Sequence, residues 1–541
     1  MSSQRQTLRG RRSNRSVLAV CICFVALTNV QCGTDVGGNE TEAEEASGTT
    51  FTVLYDADER IFGPYWSVDA WFLMFLPLAT WDESGEAIGR LVRSWEHSRD
   101  YRTWIFHLRP DVRWHDGVPV TAHDVKWSIE LAGNPDVLYD DPWHDVDSIR
   151  VRNDTTLTIF YGRPKDARNT WMVYWPRHLL EGLDPAQFYQ WKFWIQPVGD
   201  GPYRYVRHVP KTMVELEANA EFYAGKPAID RVVIKFGGDN GITELLSGNV
   251  DAIAWANPAD VPKLAADPRF RVYHQIGPGI PWLQALFWNV RSPLFGDRRV
   301  RRALTHAIDR RELLGVLNLP EDLRLTDVLF TGRQYHRGEL PPPLGYDPEK
   351  ARAMLREAGW LDGDGDGVLE RAGESLRFTA LAPQGAAGHA AIYVQAALRK
   401  VGVHMEIQTL DMNVLRGRVQ GGEFEAVFFP YWNSVDGQIR WLAPGLDSGD
   451  GTQQERRSAG IGYDNPEVAR LLASVRETAD PDQVDSIYRD LAPLIRRDLP
   501  ITFLYPEVTT YVVHRRVRGL ESPFHADPIQ FMEQLWIEDE P

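Results

Sequence analysis

The stretch LVRSWEHSRDYRTWIFHLRPDVRWHDGVPVTAHDV (residues 91–125) combines apolar segments, a turn and the start of a helix. Asp116-Gly117 separates apolar runs, and an Asp-Gly pair in that setting is typical of a tight turn. Thr121 precedes Asp124 by three residues, which is the spacing of a capped helix N-terminus. His115 beside Asp116 also permits an acid–base hypothesis, but the turn and the cap favour a structural role for this block.

Outside this stretch, short β-branched or alternating runs are followed by helical patterns. The predicted strands include 52–55, 156–160, 232–236 and 405–408. The predicted helices are 122–131, 298–314, 348–358, 389–401, 466–478 and 481–497. Asp347-Pro348 and Asp480-Pro481 each place a capping residue before a proline, which is typical of a helix start. Strands mixed with helices in this way predict α/β lobes.

The composition is that of a folded protein. The chain has 541 residues, of which 43% are hydrophobic and 25% are charged. At about 150 residues per domain, this length predicts about three or four folding units, or fewer large ones. The formal charge of -16 argues against nucleic-acid binding through a broad basic face. The 19 Trp, 19 Tyr and 22 Phe predict that some rings line a surface or a pocket.

The first 32 residues have the pattern of a secretory signal. Residues 1–16 contain five arginines and no acid, and the apolar run that follows has 11 residues. A membrane span needs about 20, so this run predicts an export signal and a periplasmic or other extracytoplasmic location. Cys32, directly before Gly33, predicts a lipid anchor of the bacterial lipoprotein type; a soluble secreted protein is the alternative. Residues 33–50 predict a flexible tether.

The exported body has no cysteine. All three cysteines of the chain, Cys21, Cys23 and Cys32, lie in the signal segment. The body therefore has no disulfide, no thiolate nucleophile and no cysteine metal site.

Further blocks follow residues 91–125 in a fixed order. They are PVGDGPY (197–203), GNVD (248–251), VRRALTHAIDR (300–310), YDPEKA (346–351), EAGW (357–360) and YDNPEV (463–468). Together, over roughly residues 51–530, they resemble the bacterial extracellular solute-binding proteins of family five, the oligopeptide-, dipeptide- and nickel-binding components of ABC importers.

The resemblance implies a periplasmic-binding-protein fold of the large type, with two α/β lobes joined by a hinge and the ligand enclosed between them. Lobe I would be discontinuous and comprise residues 51–84, 197–285 and 505–535. A subdomain inserted in lobe I would comprise residues 85–196, and lobe II residues 286–504.

The segment FFPYWNSVD (428–436) is the richest candidate for the ligand site. In peptide-binding relatives, a similar segment places a Trp in the cleft, and an acid three residues later pairs with the peptide ammonium. Here Val435 takes the position of that acid, and the acid is displaced by one residue. A buried strand end is the alternative interpretation. The resemblance implies Tyr431 and Trp432 as pocket walls and Asp436 as a polar anchor. Trp441, beyond the segment, is a further candidate for ligand binding.

Four more residues are predicted to contact the ligand on the basis of the resemblance. Trp255 follows a strand that supplies cleft residues in relatives, with ordinary core packing as the alternative. Tyr65 and Trp66 follow a Gly-Pro turn near the rim of the cleft. Asn289 stands at a strand end, where its amide would bind the ligand or the hinge backbone.

The segment DGDGDG (362–367) matches the first half of a calcium-binding loop, with acids at positions 1, 3 and 5 and glycine at position 6. Position 12 is Gly373 instead of the glutamate that such loops use. Two interpretations stay open, an acidic turn or a structural calcium site formed by Asp362, Asp364, Asp366 and Glu370. We predict no other cofactor and no catalytic metal.

The main hypothesis is therefore a monomeric substrate-binding component of an ABC importer. It would capture a small solute, in first place a short peptide, and deliver it unchanged to a membrane permease. An oligosaccharide is the alternative ligand. A secreted hydrolase that uses His115 and Asp116 is the alternative of another class, although the sequence contains no common catalytic motif.

Overall fold

Two large β-sheets with helices packed against them dominate the structure. The computed structural model describes residues 48–55, 68–81, 86–137, 145–168, 172–237, 241–276, 282–431, 434–446, 460–520 and 531–538. These residues belong to one compact unit, Gly48–Pro541. The predicted signal segment, Cys32 and nearly all of the tether lie outside the described residues. None of the described helices is long and apolar enough to cross a membrane.

The strands, in chain order, are β1 (Thr50–Tyr55), β2 (Ala79–Trp81), β3 (Ala87–Gly89), β4 (Val92–His97), β5 (Thr103–Leu108), β6 (Val146–Asn153), β7 (Thr156–Tyr161), β8 (Tyr203–Val209), β9 (Met213–Ala218), β10 (Arg231–Phe236), β11 (Ala252–Ala254), β12 (Phe270–Gln275), β13 (Leu283–Trp288), β14 (Glu370–Arg371), β15 (Glu374–Ser375), β16 (Arg377–Pro383), β17 (His404–Leu410), β18 (Ala426–Tyr431), β19 (Ile501–Pro506), β20 (Thr509–His514), β21 (Val517–Arg518) and β22 (Trp536–Ile537).

The α-helices are α1 (Val68–Met74), α2 (Ala122–Ala132), α3 (Arg177–Leu180), α4 (Gly241–Leu246), α5 (Val261–Ala265), α6 (Arg298–His306), α7 (Arg310–Val316), α8 (Gly332–Arg337), α9 (Pro348–Glu357), α10 (Ala386–Arg399), α11 (Met412–Gln420), α12 (Val435–Leu442), α13 (Pro466–Arg476) and α14 (Pro481–Asp498). Short 3-10 helices are Pro185–Gln190, Lys192–Trp194, Pro444–Leu446 and Met532–Gln534.

The first large sheet has seven strands in the order β12-β20-β11-β1-β10-β9-β8. Its centre is parallel, because β1 pairs in parallel with both β10 and β11. Helices α4 and α5 cover one face over a small apolar core that contains Ile253 and Leu264. The other face contributes Val53 and Ile234 to a large core shared with α1 and α2. Burial of both faces explains the apolar runs from which these strands were predicted.

The second large sheet has five strands in the order β17-β16-β18-β13-β19. Strand β16 is parallel to β17 and β18, whereas β13 is antiparallel to β18 and β19. Residues of α6, α9 and α10 pack on one face, and residues of α11 to α14 pack on the other. Together with the first sheet, this arrangement confirms the prediction of an α/β protein.

A separate four-stranded antiparallel sheet, β4-β5-β7-β6, lies between β1 and β8 in the sequence. The loop Gly199-Asp200-Gly201 connects this region to the first large sheet, and its Asp200 and Gly201 N–H groups donate to the Met74 carbonyl at 2.9 and 2.8 Å. A Cβ on Gly199 would lie 1.9 Å from that same oxygen, so only glycine fits. The predicted domain boundaries themselves stay predictions.

The predicted helix starts are confirmed where a local cap specifies them. Asp480 accepts hydrogen bonds from two backbone N–H groups of the first turn of α14, and Asp347 accepts one from Lys350. Thr121 donates through its N–H and its hydroxyl to Asp124, both at 2.8 Å, where α2 begins. These starts depend on neighbours in the sequence, which is why the sequence predicted them.

The single helix predicted over 298–314 is wrong. Two helices, α6 and α7, form instead, because Asp309 accepts hydrogen bonds from the N–H groups of Arg311 and Glu312 and so caps a new helix. Two arginines of this region are buried. Arg310 forms an ion pair of 2.7 Å with buried Asp327, and Arg301 donates to the carbonyls at the end of α14.

Candidate ligand site at the crossing between the sheets

The chain crosses between the two large sheets twice, from β12 to β13 and from β19 to β20. The crossings lie side by side, because the Glu507 N–H donates to the Trp282 carbonyl at 2.8 Å. At this border β11 ends near the beginning of β20, and Tyr431 at the end of β18 pairs with Leu283 at the beginning of β13. We call the strand ends at this border, in each sheet, its crossing edge. Ligands of open α/β sheets bind at such carboxyl strand ends.

Trp255 lies on the crossing edge of the first sheet, directly after β11. Trp255 is 52% exposed, although its neighbours Ala254 and Ala256 are both buried. The Ala256 N–H donates to the Thr510 carbonyl at 2.9 Å, which fixes the backbone around the ring. The φ of Trp255 is +63°, a left-handed conformation that is rare for a bulky residue. Such strain concentrates at functional sites, and it supports the prediction that this ring contacts the ligand.

Tyr431 and Trp441 lie beneath the crossing edge of the second sheet. Tyr431 is fully buried, and its ring centroid is 5.2 Å from that of Phe503. Burial raises the pKa of its phenol well above the ordinary value. The centroids of the Trp441 and Phe287 rings lie 4.2 Å apart. Both residues thus support the sheet end from its core, and their predicted contact with a ligand stays a prediction.

Asn289 is engaged in a turn after β13. Its side-chain amide donates to the Phe424 carbonyl at 2.8 Å, and its side-chain oxygen accepts from the Arg291 N–H at 3.2 Å. The structure therefore uses both ends of this amide to join two chain segments. Tyr65, Trp66 and Trp432 lie outside the described residues. Asp436 lies in α12, but its side chain is not among those described.

The sequence did not point to two residues at the crossings, Trp282 and Glu507. Trp282 is 50% exposed just before β13. Burial raises the pKa of the Glu507 carboxyl, and one of its oxygens has no hydrogen-bond partner within the described part of the chain. The available signals were an aromatic residue after Pro281 and an acid at the end of the apolar run 501–506.

Comparison with known proteins identifies this architecture. The sequence model of the family described as "Bacterial extracellular solute-binding proteins, family 5 Middle" matches residues 86–453. The chain belongs to this family. The resemblance of the ordered sequence blocks is thereby confirmed.

This family 5 protein is similar to the oligopeptide-binding protein AppA of Bacillus subtilis, with 24% identity over 490 residues that cover 87% of this chain and 86% of AppA. The solved structure of AppA from Bacillus subtilis in complex with a nonapeptide superimposes with a TM-score of 0.70 at 22% identity, covering 91% of this chain and 99% of that one. NikZ from Campylobacter jejuni in complex with Ni(L-His) gives 0.72 at 24% identity, with coverage of 90% and 99%. These likenesses confirm the two-lobed fold.

His115 of this family 5 protein is placed as a structural residue. Its Nδ1 accepts from the Gly199 N–H at 3.2 Å, and its Nε2 lies 3.0 Å from the Gly201 carbonyl. Burial lowers the pKa of His115 to about 4, so the ring is neutral at pH 7. Asp116 is bonded to His178 at 2.7 Å and not to His115. With both ring nitrogens bonded to one loop, the geometry disfavours the acid–base hypothesis for this pair.

The acidic loop lies at the end of the second sheet that is farthest from its crossing edge. The loop comes before the first residue of β16, and the last residue of β16 lies at the crossing edge. One oxygen from each of Asp362, Asp364 and Asp366 lies within 4.8 Å of the others. Burial and these three acids raise the pKa of Glu370. Carboxylate oxygens at this spacing fit calcium. Asp362 also accepts a hydrogen bond from the Gly365 N–H at 2.7 Å, which is the kind of bond that holds an acidic turn together without a metal.

Proposed function

We propose that this family 5 protein is the substrate-binding component of an ABC importer and captures a short peptide between its two lobes. Family membership supports the role in solute binding. Among the relatives, AppA is named for oligopeptide binding and its structure contains a nonapeptide. In this chain, the observation that carries the proposal is the position of Trp255. This residue is half exposed on a crossing edge, and its backbone is held in place.

Capture follows from the two side-by-side crossings. Within the described part of the chain, two connections join the large sheets, so each lobe moves as a body while a few residues near Trp282 and Glu507 absorb the change of angle. A ligand stabilises the closed form through contacts that exist only when both crossing edges touch it. Aromatic rings suit this role because they bury a large area at a small loss of side-chain freedom.

The bound peptide is released unchanged to a membrane permease. The protein acts as a monomer, and no step of capture requires covalent chemistry or a cofactor. It is exported by its N-terminal signal and held at the membrane by a lipid on Cys32, and intact mass spectrometry of the mature protein checks this attachment. If calcium binds the acidic loop, its role is structural, because the loop lies far from the crossing edges.

Calorimetric titration of the exported body with tripeptides tests the proposal. We expect at least one tripeptide to bind with a micromolar or lower Kd and to be recovered intact after incubation. Matched titrations with cello- and manno-oligosaccharides are expected to show no heat of binding. Preferential sugar binding would replace the peptide as ligand, and cleavage of the peptide would overturn the assignment as a binding protein.

A metal-free arm accompanies this titration. In EDTA the Kd of the tripeptide is expected to stay within about twofold of its value in calcium, since the carboxylates of the acidic loop do not border the crossing edges. A large loss of affinity in EDTA would show that a metal takes part in ligand capture.

A further inference from the structure

A cavity of about 180 Å³ opens beside Trp255 in the first lobe. Its apolar walls include Ile242, Ile253 and Leu264, and its polar lining includes Asn257 and Asp260. The volume is sufficient for the five heavy atoms of a lysine side chain, since a water molecule takes about 30 Å³.

The cavity lies where the fold predicts a ligand. Helix α4 leads from β10 to β11, and these two strands flank β1 in parallel. Gly241 begins α4 after the carboxyl end of β10, and Ala256 follows the carboxyl end of β11, so both lining residues border one end of the parallel strands. This end is the crossing edge that carries Trp255, and carboxyl strand ends on the two sides of a central strand form the usual ligand crevice.

Asp260 gives the cavity its charge. The residue occupies the N-cap position of α5, but its side chain accepts no capping hydrogen bond. No ion pair or side-chain hydrogen bond joins it to another residue within the described ranges, and none of the described lining residues is basic. An acidic residue that lines a partly apolar cavity and has no cationic partner there suits the charged end of an aliphatic chain.

We propose that this cavity binds a cationic side chain of the peptide, with its methylenes against the partly exposed Ile242 and its ammonium or guanidinium on the Asp260 carboxylate. The inference rests on the proposed function and specifies its substrate class as peptides that contain lysine or arginine. The signal segment carries a charge of +5, so its removal changes the net charge from -16 to -21. This negative charge of the exported body attracts such peptides at long range.

The experiment compares trialanine peptides that carry lysine at the first, second or third position with the same peptides carrying norleucine, which has a similar length but no charge. For wild-type protein we expect lysine at one position to bind at least about tenfold more tightly than norleucine. In Asp260→Asn this preference is expected to disappear, while affinity for the norleucine peptide stays within about twofold. In Asp260→Lys, a glutamate peptide is expected to bind more tightly than the lysine peptide.

Asp154→Asn is the matched control, because Asp154 is exposed in the β6–β7 turn, outside the residues that line the cavity. It should retain the lysine preference. Equal binding of lysine and norleucine peptides at all three positions overturns the cationic pocket and leaves peptide capture intact. A lysine preference that survives in Asp260→Asn also overturns it. If none of the peptides binds, the proposed function fails, and the pocket assignment fails with it.

Discussion

Replacing Trp255 by alanine is expected to weaken peptide binding by about 30- to 100-fold. This range corresponds to about 2–3 kcal/mol, the usual loss when an aromatic residue at the centre of a binding surface is truncated. Trp255 is half exposed on the crossing edge, so about half of its surface is free to contact a ligand, and the hydrogen bond from the Ala256 N–H to the Thr510 carbonyl fixes the backbone beside it. Calorimetric titration with the tripeptide that binds wild type best measures the effect.

Trp536→Ala is the control for this variant, because Trp536 is 42% exposed on the short strand β22, which does not belong to either large sheet. It should leave the Kd within about twofold. Urea unfolding of both variants shows whether a loss of affinity reflects a loss of fold. Wild-type affinity in a folded Trp255→Ala protein would remove Trp255 from the ligand site.

Asp200→Asn is expected to stabilise the protein by several kcal/mol at pH 8 and to have little effect near pH 4. Burial raises the pKa of Asp200 to about 8, although the Leu76 N–H donates a hydrogen bond of 2.9 Å to its side chain. The folded state therefore holds a proton that the unfolded state releases near pH 4. As the pH rises from about 4 to about 8, the free energy of unfolding of the wild type falls by up to about 1.4 kcal/mol per pH unit. Asparagine is always neutral, so the Asp200→Asn variant does not show this loss.

The difference between the two urea unfolding free energies is best measured between pH 6.5 and 8.5. Below this window His115 adds the opposite slope to both profiles and leaves their difference unchanged, because its lowered pKa means that the stability of either protein falls as the pH drops from about 6.5 to about 4. Asp154→Asn should follow the wild-type profile throughout. Parallel profiles for wild type and Asp200→Asn would show that the Asp200 carboxyl is ionised in the folded protein.

Local capping explains why much of the fold was predictable. Asp347 and Asp480 start helices through hydrogen bonds to their own first turns. The break at Asp309 was missed, although it uses the same chemistry, because the basic and apolar pattern continues across it. A capping residue inside a periodic segment does not show whether the helix stops.

The candidate site was less predictable, because exposure depends on residues far apart in the sequence. Tyr431 and Trp255 are both aromatic residues at strand ends, and nothing local distinguishes them. The structure buries Tyr431 against Phe287 and Phe503 from two other strands, whereas Trp255 projects with half of its surface exposed. Asn289 likewise found its partner at Phe424.

The sequence by itself determined the α/β class, the capped helix starts and, through its ordered blocks, the family. These properties depend on short-range hydrogen bonds and on the hydrophobic pattern along single segments. Only the tertiary structure decided which rings face solvent, that Arg310 is buried with Asp327, that burial raises the pKa of Asp200, and that Asp260 lines a cavity next to Ala256, the residue after Trp255. Burial and electric charge in a folded chain depend on contacts between distant segments, so no local pattern specifies them.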